Sequence, residues 1–291
     1  MEQSQNITQI IIDTINSIFE SIFSSIDNHL YSLLDELIFI DSDILNDRYF
    51  EEILGNSTSS GILLISNALL FGILLYYSIK YLLSHLTYDR IDRPSSFFIK
   101  MLLFGICMNS SFFMIELFID LISTVSLFIR SIGENLFNET ICFSTLISNI
   151  NSHISIDTSS LNIFTIDGLI KGILSVSLLN LVFSYSLRYI FIKVFILITP
   201  FAFLSLILSN TSWFFKAWFK NLFSLLFLQI IVSIILLLMF SVDFSSGDLF
   251  NKFIYVGGMY ALIKANSLVR DFIGGVSTEI SQSVKSFKNF K

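Results

Sequence analysis

The sequence predicts an all-α, polytopic integral membrane protein: about five transmembrane helices, or six, behind an amphipathic helical N-terminal region. Three observations carry this. Residues 167–240 are almost continuously apolar, several times the roughly 20 residues that one bilayer crossing needs. Of the 291 residues, 54% are hydrophobic and only 14% charged, with a mean hydropathy of +0.76; about a quarter of a soluble domain is charged. Finally, Arg188, Lys193, Pro200, Lys216 and Lys220 interrupt the long apolar tract at spacings too short for separate soluble helices. Polar groups and backbone breaks at membrane depth persist only against protein or a wet cavity, so the interruptions are where function is sought.

Charge divides the chain. Residues 1–60 carry a net charge of −10 and the remaining residues +4. This predicts three parts: an acidic extracytoplasmic region over 1–60, a transmembrane domain over 61–270 and a cytoplasmic tail over 271–291. Met1-Glu2-Gln3 lacks the positive charge of a secretory signal and no apolar run follows it. Instead Ile7, Ile11, Ile15, Ile18, Ile22 and Ile26 recur every three or four residues, with Thr8, Asp13, Asn16, Glu20, Ser24 and Asp27 opposite. That is an amphipathic helix. A second piece bears Leu30, Leu33, Leu34 and Leu37. Basic amphipathic helices lie on anionic lipid; an acidic one suits a protein partner better. The polar stretch from Gly55 to Ser60 then breaks the pattern before the first span.

Gly61 to Ser84 is the first span. The loop after it holds Arg90 and Arg93 between Lys80 and Lys100, and clustered Lys and Arg mark the cytoplasmic side. The first span therefore runs inward. Phe97 to Arg130 returns as the second, with Glu116 and Asp120 on one helix face near its outer end. Residues 131–167 contain no Lys or Arg and form an external loop.

Gly168 to Arg188 is the third span, with Arg188 and Lys193 as anchors near the inner face. Val194 to Ser209 contains Pro200, which removes a backbone donor, and reads as a broken or re-entrant continuation; a full crossing there would make six spans. Lys216 and Lys220 then lie inside, with Trp213 and Trp218 at the interface. Asn221 to Phe240 crosses outward with Gln229 deep inside it, where an amide needs an interhelical partner. Phe253 to Val269 returns, leaving Lys285, Lys288 and Lys291 inside. The N-terminus is thus outside and the C-terminus cytoplasmic.

Motifs for soluble chemistry are missing. There is no GxxxxGK[ST] phosphate loop, no HExxH, no CxxC and no GxSxG. His29, His85 and His153 are scattered, and Cys107 and Cys142 read as two unpaired thiols. The residues predict neither a metal nor a cofactor. The candidates for a structural or channel role are the polar and breaking residues of the membrane domain: Glu116, Asp120, Arg188, Lys193, Pro200, Trp218 and Gln229.

Arg188-Tyr189-Ile190, then Ile198-Thr199-Pro200-Phe201-Ala202, then Trp218 and an apolar span from about Leu222 resemble the core of the TrbL family, the VirB-six-like polytopic subunits of type IV secretion and conjugation machines. The likeness covers about 165–245 and is one of topology elsewhere. It implies a non-enzymatic channel or scaffold subunit of the bacterial cytoplasmic membrane, oligomeric, working with other membrane subunits and with separate ATPases to pass DNA or protein. A short tail departs from relatives with long soluble C-terminal regions. The alternative is a secondary transporter or permease, for which broken midplane helices are typical, although no internal repeat is seen. An intramembrane enzyme would need a nucleophile and base that cannot be named.

Overall fold

The structure, a computed structural model, describes residues 14, 17, 31, 33–55, 61–87, 93–153, 166–242 and 249–274. Among these every regular element is helical. Helix α1, described over 33–38, leads through a 3-10 turn (Ser42–Leu45) into α2 (Arg48–Leu54). Then follow α3 (Gly61–Thr87), α4 (Pro94–Asn109), α5 (Ser111–Phe137), α6 (Phe143–His153), α7 (Ile166–Leu204), α8 (Ser212–Phe240) and α9 (Leu249–Ile273). Four stretches are helical, long and apolar enough to cross a membrane: Gly61–Leu86, Ser111–Phe137, Gly168–Leu204 and Ser209–Phe240. The protein is a membrane-embedded helical bundle. Nearly the whole Ile7–Ile26 amphipathic pattern lies outside the described residues.

The bundle is built around α8. Its second half is buried on most sides: Leu225, Leu226, Leu228, Val232 and Leu236 are all at most 1% exposed. α5 runs parallel to it, since Phe118 meets Phe219 and Phe223 at one end and Phe137 meets Phe240 at the other. α7 runs antiparallel, pairing Arg188 with Leu225 and Phe195 with Trp218. α9 is antiparallel too, with Gly258 against Met239. Close approach depends on small residues. A Cβ at Gly133 would lie 2.6 Å from Leu237 and 2.7 Å from Ile141; one at Gly258 would lie 2.7 Å from the Met239 sulfur. Outside this group, α3 and α4 form an antiparallel pair. Tyr77 stacks on Phe97 at 3.7 Å, and Asn67 and Asn109 exchange amide hydrogen bonds of 3.1 and 3.3 Å.

Three expectations need correction. The second span is not one helix. It divides at Ser110, whose backbone (φ −93°, ψ 11°) departs from helical geometry between the end of α4 at Asn109 and the start of α5 at Ser111. Nor does the third span end at Arg188. α7 continues unbroken for 39 residues to Leu204, about 58 Å at 1.5 Å per residue. Pro200 falls near its C-terminal end, where a missing N–H removes only one late hydrogen bond. Residues 194–204 are therefore the end of α7, neither a separate crossing nor a re-entrant piece. Lastly, the 131–167 loop is partly ordered helix: α5 runs on to Phe137, and α6 buries Phe143, Leu146 and Ile147.

Candidate functional site

The largest fully buried side chain is a charged one, Arg188. It lies about halfway along α7, so a bundle of this kind holds it far from both ends. On insertion scales a central Arg costs about 2.5–3.5 kcal/mol, and it is tolerable only when its donors are used. Its Nε donates to the Leu225 carbonyl of α8 at 2.7 Å. Its Nη1 donates to the carbonyls of Ile38 at 2.9 Å and Leu37 at 3.4 Å. The last two are the unpaired carbonyls at the C-terminal end of α1, where a cation also meets the negative end of the helix. Nη2 has no partner among the described residues.

Gln229 completes the arrangement. It is wholly buried one turn beyond Leu225, and its Oε1 accepts the Ile40 N–H at 3.1 Å. Its Nε2, like Arg188 Nη2, is unpartnered. Backbone between α1 and the 3-10 turn has left the helical ladder, and such backbone survives inside a membrane bundle only if protein satisfies it. Arg188 takes the carbonyls before the break and Gln229 the N–H after it. Ser233, a further turn along α8, donates to the Gln229 carbonyl at 2.8 Å and bonds Ser126 of α5 at 2.7 Å. Polar contacts thus run from α5 through α8 to the break.

Other elements hold the same segment. The Asp35 carboxylate accepts N–H bonds from Phe143 at 2.8 Å and Ser144 at 3.3 Å, capping the start of α6 in trans. Burial pushes the Asp35 carboxyl above its ordinary range, against the pull of those two amides and of Arg130. The Arg130 guanidinium lies 3.9 Å from the centre of the Phe39 ring. Lys193 pairs with Asp47 at 3.2 Å and faces the rings of Phe50 and Tyr189. Leu34 and Ile38 join the α7–α8–α9 core, while Ile40, Ile44, Leu45 and Phe50 join the α5–α7–α8 core. The apolar side chains of residues 34–50 thus pack on the bundle, while Glu36, Asp41, Asp43 and Asp47 stay exposed.

Of the residues singled out in the sequence, Arg188, Lys193 and Gln229 converge on residues 37–47. Trp218 makes a separate contact with α7. It is buried, and its indole N–H donates to the Phe195 carbonyl at 2.8 Å, which Thr199 Oγ1 also meets at 3.1 Å. Arg188 does not serve the Pro200 turn. Glu116 and Asp120 are half-buried in the first turns of α5, level with the start of α8, not near the far end of that span. The sequence reading passed over Asp35 and Arg130. Asp35 looked like one acid among many; a buried role for it shows in no local pattern. Both thiols are free. Among the described residues no group of three or more His, Cys, Asp or Glu side chains could hold a metal ion.

The chain matches no protein-family model, no curated protein and no solved structure.

Proposed function

We propose that this protein is a non-enzymatic channel or scaffold subunit of a type IV secretion or conjugative transfer machine. It sits in a bacterial cytoplasmic membrane, N-terminus outside and C-terminus inside, as a member of a TrbL-like, VirB-six-like family. The supporting observation is a coincidence of sequence and fold. The stretch carrying the resemblance, about 165–245, is α7 and α8, the antiparallel pair on which the bundle is organised. Its Arg188 and Trp218 are the side chains that tie that pair together. Partners in this reading are other copies of the chain, further membrane subunits, and the ATPases that supply energy; DNA or protein is what passes.

Transfer measured in a host lacking the gene and complemented by variants tests this. Loss of conjugation or secretion without the protein, restored by the wild-type chain, is the expected outcome. Normal transfer in its absence rejects the proposal. Replacing Ile11, Ile15 and Ile18 by Ser tests assembly separately. Co-purification of partner subunits should weaken while membrane insertion persists, because each buried apolar Å² contributes about 25 cal/mol.

A permease remains as the second reading, on a specific observation: the break at residues 39–41 is held by buried side chains on membrane helices, as in transporters with discontinuous helices. Solute uptake by the purified protein in liposomes, without partner subunits, would favour it.

A further inference from the structure

We infer that Arg188 and Gln229 form a binding site for polypeptide main chain where a helix ends, which the protein's own residues 37–40 fill in the resting state. The groups that Arg188 and Gln229 engage are all backbone, two carbonyls and one amide N–H, while the side chains of Ile38 and Ile40 pack in the neighbouring cores. A guanidinium fork facing carbonyls and an amide oxygen facing an N–H read the polarity of a peptide without reading its sequence. The site is also not saturated. Arg188 Nη2 and Gln229 Nε2 are buried donors without partners among the described residues, and an unmet buried donor costs about 1–3 kcal/mol. A longer or differently placed strand has two more donors to use. An open cleft lined by Leu37, Ile40, Asp41, Asp43 and Tyr189 reaches the outer side of the strap, with Arg188 and Gln229 buried behind it. An incoming segment would enter there and displace 37–40, turning the N-terminal strap from a plug into a released arm. The inference rests on the channel reading only for the source of that segment, a polypeptide in transit; the binding chemistry stands apart from it.

The test uses the full chain in lipid nanodiscs, with Cys107 and Cys142 replaced by Ser and a single cysteine at Ile40, a buried position. Phe39, which is half-buried, serves as the alternative position if Ile40→Cys does not fold. Labelling by a water-soluble maleimide is followed with and without two synthetic peptides. One has the sequence of residues 33–46; the other is identical except for proline in place of Ile40, which deletes the N–H that Gln229 accepts. The native peptide should speed labelling, and the proline peptide should be about tenfold less effective, the worth of one well-made buried hydrogen bond. Equal effects of both peptides overturn main-chain recognition. No effect of either means that residues 37–40 are a permanent part of the core, which also overturns the inference. A chain that passes this test yet is dispensable for transfer rejects only the channel reading.

Discussion

At the scale of single residues, Arg188 is the clearest case of a side chain whose importance the sequence announced and whose partner it concealed. An Arg in an apolar tract demands acceptors, and a helix break is where acceptors are freed. The nearest break in sequence was Pro200. Arg188 instead serves a break 150 residues away, at Ile38; near Pro200 it is the Phe195 carbonyl that receives both the Trp218 indole and the Thr199 hydroxyl. Arg188→Lys keeps the charge but not the fork that spans α1 and α8 at once. Each charge-assisted bond is worth about 1.5–3 kcal/mol, so the variant should lose at least one such increment. Thermal unfolding in detergent micelles or nanodiscs checks this; an unchanged midpoint would make Arg188 a simple anchor. Gln229→Leu leaves the Ile40 N–H buried and unpaired, at a cost of about 1–3 kcal/mol. Its largest effect should be on hydrogen exchange of that amide.

At the scale of elements, the apolar spans were legible and their joints were not. α3, α5, α7 and α8 follow directly from hydropathy. The division of α4 from α5 turns on the backbone of the single residue Ser110, which no hydropathy pattern marks. The seating of α1 was hidden for a similar reason: Asp35, Leu34 and Ile38 have ordinary local spacing, and only the fold supplies α6 and α8 as partners. Asp35 gives a prediction with a sign. Its carboxyl titrates above its ordinary value when docked, so the docked state binds more protons than the unfolded one. Its stability therefore falls as pH rises through the interval between the two values and recovers on acidification. Asp35→Asn retains a capping oxygen without the charge. The wild-type unfolding temperature should rise relative to that of Asp35→Asn as the pH is lowered from neutrality. The opposite slope would mean that the amides and Arg130 outweigh burial.

At the scale of the whole molecule, α5, α7, α8 and α9 alternate as the loop charges lead one to expect, and α3 and α4 alternate with each other. Which face of a membrane each end occupies is an expectation from those charges. Cysteines placed at 1–32 or 154–165 should react with an impermeant reagent from outside, and those at 86–95 or 280–291 should not; labelling at 86–95 would invert the arrangement. Position 210 now has a definite expectation. Phe203, Leu204 and Ile207 pack along α3 and α4, with Tyr77, Phe97 and Met108; because Lys216 and Lys220 follow closely in sequence, position 210 should behave like 86–95. Within the N-terminal region the strap adds a local exception. Ile38 and Ile40 are buried and should resist the reagent, while the open cleft beside Asp43 should admit it.

The strap also imposes an order in time. Residues 37–40 leave the ribosome long before their catch exists: the Ile40–Gln229 bond closes over 189 positions of sequence. At about 5–20 residues per second, synthesis of the intervening chain takes roughly 10–40 s. During that interval the early segment has no seat, because both halves of its holder belong to helices not yet made. Seating can follow only after α7 and α8 have inserted and paired. A nascent chain that stalls or inserts α8 wrongly keeps its first apolar segment uncovered, a ready signal for quality-control proteases, whereas a finished chain hides it. The contact that holds the resting molecule shut therefore also reports that the molecule has been completed.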